Sequence, residues 1–231
     1  TSSSPRNPVS PPPVPVKPVP PVPDTPPVPQ KSSGDPNPPK KLEDFAGLPL
    51  FFDNDEPDKR TRKTTTKQTY EESFWAYYDH LDEYRTEFSS GFSGAEAVKA
   101  RVAIDDFFEN EVKRGFDRLF LLSDMLLTRL QDGEHVEIII KGFTSPRAES
   151  AYNLALGRRR ISSVRNHFEK YGDGAFQNYL KIGFLRITEA SFGETTAKSG
   201  ISDRLEDRRG SIYNPEAARE RRVEIVEIKS N

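Results

Sequence analysis

Apolar side chains fall along the chain in separate patterns, each with its own period. Leu48-Pro49-Leu50-Phe51-Phe52 is a short continuous apolar run ended by Asp53-Asn54-Asp55-Glu56-Pro57-Asp58. That combination predicts a buried first strand followed by a loop. Tyr70, Phe74, Trp75, Tyr77, Tyr78, Leu81, Tyr84 and Phe88 recur at spacings of three, four and seven. They predict one amphipathic helix over 70–88, closed by Gly91 and Gly94. A second helical stretch is expected from about Ala95 to Leu130 with a break near Gly115, and Asp132-Gly133 supplies its left-handed end. Val136 to Ile140 is β-branched and reads as a buried strand. Gly142 to Ser145 then forms a loop, and Ser145-Pro146 opens a helix expected to reach Tyr171, with serine as cap and proline in the first turn. A strand is expected near 185–190, and a short helical piece around Ser202 to Arg208. Val223, Ile225 and Ile228 alternate with charges as a closing strand. This order predicts an α+β fold, with helices packed on one face of a small mixed β-sheet.

Composition divides the chain in two. Of its 20 prolines, 16 lie in the first 40 residues, among repeated Val-Pro units. Proline removes amide donors and fixes φ, so residues 1–41 are expected to be a disordered or polyproline-II linker. At about 3.1 Å per residue such a segment reaches on the order of 100 Å. It reads as a spacer, with a ligand for a groove-type recognition domain as the rival reading. Residues 42–231 carry every aromatic and suffice for one single-core domain, with a helical insertion at about 59–93. The net charge of −2 gives no basic footprint for nucleic acid. The lack of cysteine rules out thiolate chemistry. No apolar run approaches the length of a membrane span.

Candidate chemistry concentrates on the helix after 145. At about 100° per residue, Leu154, Gly157, Ile161, Val164 and Phe168 share one stripe, expected to face the core. Glu149, Asn153, Leu156 and Arg160 form a second stripe, beside the loop at 142–147. A polar flank next to a glycine-containing loop suggests a small pocket, where the rigid fork of an arginine suits a carboxylate. The competing reading is a solvated arginine face.

The same segment resembles the signature of the OmpA-like C-terminal domain family, most closely its Bacteroidetes-type members. Gly142 and Thr144 match the family loop, and Asn153, Leu156, Gly157, Arg160 and Val164 match its helix with the spacing intact. Phe192-Gly193-Glu194 resembles a family turn, Glu220-Arg221-Arg222-Val223-Glu224-Ile225 its terminal strand, and Leu50-Phe51-Phe52-Asp53 its first strand. The likeness spans about 48 to 229. It implies an OmpA-like sandwich that binds peptidoglycan in the periplasm, associated with the outer membrane. Arg160 would clamp a diaminopimelate carboxylate of the stem peptide, with Asn153, Leu156 and Thr144 around it. The family's loop aspartate is Ser145 here, which lacks the anionic partner for the ligand's ammonium group. That loss costs about 1.5–3 kcal/mol, and Glu149, one turn on, is the candidate substitute. Ala148 and Glu220 also depart from the family pattern, while Phe143 stands where the family has a loop histidine or aromatic.

No enzyme and no cofactor is expected. His80, His135 and His167 lack metal-ligand spacing, and neither a nucleophile elbow nor a phosphate-binding glycine loop occurs. Asp53, Asp55 and Glu56, and the pair Asp105-Asp106, read as a solvated loop and a helix surface. Two functions stay open. One is a non-covalent anchor of an envelope complex to the cell wall. The other is a protein-interaction scaffold in an envelope complex such as type IX secretion, suggested by Ser145 and by the aromatic insertion with Trp75, Tyr77 and Tyr78.

Overall fold

A computed structural model describes residues 38–144, 150–190 and 206–231. The proline-rich segment up to residue 37, Ser145, Glu149, the 192–194 turn and most of the expected helical piece at 202–208 lie outside these residues. The chain is α+β. Four strands, β1 (Leu48–Phe51), β2 (Val136–Phe143), β3 (Leu185–Glu189) and β4 (Arg222–Ser230), form one mixed sheet in the order β1-β4-β2-β3. β4 runs antiparallel to both β1 and β2, whereas β2 and β3 are parallel. Along β2 every second residue is buried, so one face of the sheet carries the core. The uneven spacing of Val223, Ile225 and Ile228 has a local cause. The register against β2 slips between Ile139 and Ile140, which leaves Val226 as the extra residue of a bulge and keeps Ile225 and Ile228 both inward.

The sequence-predicted helix over 70–88 is two helices, α1 (Tyr70–Tyr78) and α2 (Leu81–Ser89). Thr69 opens α1 through a capping box with Glu72. The break falls at His80, whose ψ of 4° leaves helical geometry and whose ring Nδ1 lies 2.9 Å from Asp53 Oδ2. α3 (Gly94–Phe107) begins, rather than ends, at Gly94. It passes through a wide helical turn at Phe108–Lys113 into α4 (Arg114–Gln131). That turn, not Gly115, is the irregularity. It advances less rotation per residue, so the consecutive Phe107 and Phe108 both face the core. Gly115 instead permits contact: a Cβ there would stand 2.5 Å from the Pro49 carbonyl oxygen of β1.

α5 (Ser150–Gly174) leaves helical geometry at Tyr171, Gly172 and Asp173. The short helices α6 (Gln177–Ile182) and α7 (Pro215–Arg219) had no counterpart in the sequence reading. β2 also runs further than expected and includes Gly142 and Phe143. A Cβ at Gly142 would lie 2.8 Å from the Gly157 carbonyl oxygen and 3.3 Å from its Cα, so α5 rests directly on β2. Gly142→Ala is therefore expected to lower stability by about 1–3 kcal/mol, as overpacking does. A urea midpoint that does not move would show that the two backbones separate without cost.

The aromatic stretch over 70–88 mostly feeds the core. Phe74 stacks on Phe116 with centroids 3.8 Å apart, Tyr77 and Tyr84 are fully buried, and Trp75 and Tyr78 are half-buried against the same cluster. Among the described residues no helix is long and apolar enough to cross a membrane.

Candidate functional site

Three segments converge on α5: the turn that follows β1, the end of β2, and the polar stretch from Pro57 to Gln68. The core stripe expected on α5 holds for Gly157, Ile161, Val164 and Phe168, but Leu154 is 40% exposed. The second stripe is not a solvated flank. Leu156 and Arg160 are buried, and so is Arg159. The burial arises because residues 56–68 lie over that side of the helix, a cover with no apolar signal of its own.

Arg160 sits at the junction and is fully buried. Its Nε donates to the Glu56 carbonyl at 3.0 Å, Nη1 to the Phe143 carbonyl at 3.0 Å, and Nη2 to the Asp53 carbonyl at 3.4 Å. The guanidinium also lies 5.6 Å from the centre of the Phe52 ring. A guanidinium has about five N–H donors, so three carbonyls leave donor capacity unused. Burial, and then the nearby charges of Arg221 and Arg159, push Arg160 down to about 9, so it remains a cation at neutral pH.

Asp53 faces away from this arginine with its carboxylate. Oδ1 accepts from the Tyr84 hydroxyl at 2.5 Å and the Asn54 amide at 2.6 Å, and Oδ2 meets His80 at 2.9 Å. Asp55 accepts from the Tyr152 hydroxyl and lies 3.9 Å from Arg159 Nη2. Arg221, also buried, donates to the Ile212 carbonyl at 2.8 Å and the Tyr84 hydroxyl at 3.1 Å. Three buried guanidiniums thus gather around two carboxylates, and the interior at this end of the sheet is short of negative charge. Glu56 does not fill the gap, since its carboxylate pairs with Lys59 at 3.3 Å.

Of the residues singled out in the sequence, Arg160 and Leu156 are buried, while Thr144 at the end of β2 and Asn153 on α5 are half-buried. Ser145 and Glu149 lie outside the described residues. Arg159, Tyr152, Asp53 and Asp55 were missed as members of the cluster. A signal existed: Tyr152, Leu156, Arg159, Ser163 and Asn166 repeat at four, three, four and three, a helical seam. Its mostly polar composition concealed it.

No family model matches the chain, and no curated protein or solved structure matches it either.

Arg160 lines neither of two clefts among the described residues. One of about 530 Å³ opens between His135, Phe184, Arg186 and Lys229, where β2 starts. It lies roughly 20 Å from the Phe143 end at the usual rise of a strand. A smaller one, about 110 Å³, lies beside Asp53, His80 and Tyr213. It is too small for a peptide stem. Among the described residues no group of three or more histidine, aspartate or glutamate side chains is placed to hold a metal ion.

Proposed function

We propose that this domain is an OmpA-like, non-enzymatic binder of the peptidoglycan stem peptide, and that it anchors an outer-membrane or periplasmic envelope complex to the cell wall. The proline-rich segment would serve as its tether. One observation carries the reading: Arg160 is a buried cation held by three carbonyls, with no carboxylate in ion-pair range among the described residues and with N–H donors to spare. A diaminopimelate carboxylate would supply both the missing charge and a planar acceptor for the fork. Thr144, Tyr152 and Asn153, half-buried around the same junction, would form the rim. The signature resemblance over Gly142–Val164 supports the same assignment.

The test uses the wild-type chain and two ligands. Calorimetric titration is expected to show binding to a stem peptide that contains diaminopimelate. A peptide with lysine at that position lacks the second carboxylate and should bind at least about tenfold more weakly, the loss of one charge-assisted contact. Equal affinity for the two peptides would sink the proposal.

The second reading is a protein-interaction scaffold. The aromatic insertion no longer favours it, because those rings pack inward. Its support is a small apolar patch on α3, where Val98 and Val102 are 59% and 58% exposed one turn apart.

A further inference from the structure

Residues 59–67 hold Lys59, Arg60, Arg62, Lys63 and Lys67 and no acid. All five basic side chains are exposed. Lys59 pairs with Glu56 at 3.3 Å and lies 4.0 Å from Asp53, whereas Asp58 accepts from Gln68 Nε2 at 3.1 Å, and Asp55 accepts from the Arg60 amide and the Tyr152 hydroxyl. Among the described residues no carboxylate pairs with Arg60, Lys63 or Lys67.

Five like charges in nine residues repel one another, and such a segment stays extended and disordered unless something holds its backbone. Here α5 does so from beneath. Arg159 donates Nε to the Pro57 carbonyl at 2.7 Å and Nη1 to the carbonyls of Thr61 and Lys63 at 2.7 and 2.8 Å. Asn166 donates to the carbonyls of Thr66 and Gln68, both at 2.9 Å, and Lys170 to that of Lys67 at 3.1 Å. Arg60 even keeps a left-handed φ of 60°, a strained conformation for a residue of its kind. The helix thereby holds the backbone of the strap through its carbonyls, while its five basic residues remain exposed.

We infer that this strap is a docking surface for the free carboxylates of the cell-wall peptide stems neighbouring the one bound at Arg160. The inference rests on the proposed function. The wall polymer is favoured as the occupant because the strap is continuous with the Arg160 junction. The turn that lends Asp53 and Glu56 carbonyls to Arg160 runs straight into it, and Arg159 and Arg160 are adjacent on one helix. A sacculus repeats its carboxylates along the strand. A row of cations beside a single specific site therefore converts one contact into several, with a strong dependence on salt.

Co-sedimentation of the full chain with purified, lipid-free sacculi tests this across a salt series. The wild type should pellet tightly at low salt and progressively less as salt rises. R60Q/K63Q/K67Q should bind about tenfold or more weakly at low salt and show a flatter salt dependence. Its melting temperature should be unchanged, since none of these side chains anchors the strap. K63R/K67R should retain binding. Sacculi whose carboxylates have been amidated should no longer distinguish wild type from the glutamine variant. If the glutamine variant keeps wild-type affinity and salt dependence, the strap inference is wrong while the Arg160 reading stands on its peptide test. If the wild type does not pellet with sacculi at all, both fail. If it binds phosphatidylglycerol vesicles more tightly than sacculi, and the glutamine variant loses that binding, the strap serves a lipid surface and the wall assignment is overturned.

Discussion

Replacing Arg160 by leucine is expected to lower the free energy of unfolding by about 3–6 kcal/mol. The side chain is the common donor for the carbonyls of Asp53, Glu56 and Phe143, which belong to the turn after β1 and to the end of β2. Each carbonyl left unsatisfied in the interior costs about 1–3 kcal/mol. Some of that is offset, because removing one of three clustered cations relieves the repulsion from Arg221 and Arg159 that helps push Arg160 down. The offset places the expectation nearer the lower end. Arg160→Lys should recover only part of the loss, since an ammonium on a flexible stem cannot span three acceptors fixed for a planar fork. Urea unfolding followed through Trp75, the single tryptophan, reads the effect directly. A loss below about 1 kcal/mol would mean that water or another donor replaces the fork, and that the junction does not depend on this side chain. A variant at this position disturbs the scaffold, so lost ligand binding in it would not by itself identify the site.

Stability should also fall in mild acid, by about 3 kcal/mol between pH 6.5 and 4, on account of one residue. His167 is buried, and burial lowers it from 6.5 to about 4. The folded state therefore holds the neutral ring. Ser123 Oγ donates to the Leu119 carbonyl at 2.9 Å, so at 3.1 Å from the ring it accepts from Nε2–H, which assigns the tautomer by hydrogen bonding. Above about pH 6.5 neither state carries the proton and the contribution is complete. As pH falls the unfolded chain takes up a proton that the folded chain refuses, and stability declines until the folded pKa is passed. Below that the contribution of this group is flat. His167→Leu should remove this part of the pH dependence from urea midpoints collected across the range. An unchanged slope in the variant would assign the acid sensitivity to other groups.

The sequence made the regular elements legible where one face is buried and apolar. The alternation of Val223, Ile225 and Ile228 located β4, and their uneven spacing already carried the bulge at Val226. The aromatic repeat located α1 and α2 but ran through the break at His80, because the turn is set by a contact with Asp53 and not by a helix-breaking residue. α6 was invisible, since Gln177–Ile182 buries no residue fully. α7 was readable but unread: Asn214-Pro215 is a cap followed by a first-turn proline. At the candidate site, the place of Arg160 on a helix beside the end of β2 was legible. Its burial was not, because the covering strap is rich in lysine, arginine and threonine and announces itself as surface. Arg159 was hidden for the same reason, as a charged side chain whose partners are backbone carbonyls that no pattern of residue types reveals.

The position of β4 between β1 and β2 governs how the domain comes into being. Leu48 must wait for Ile225 and Val136 for Ser230, so nearly every residue of the sequence is made before the central strand exists. A growing chain that stops short of residue 222 has only the parallel β2–β3 pair available and leaves β1 without a neighbour. Its phenylalanines and tyrosines then have only that two-stranded pair to cover. Pairings this distant in sequence form late and slowly, and until they form the chain is prone to aggregate. A chain made only as far as residue 221 therefore lacks the strand that joins β1 to β2.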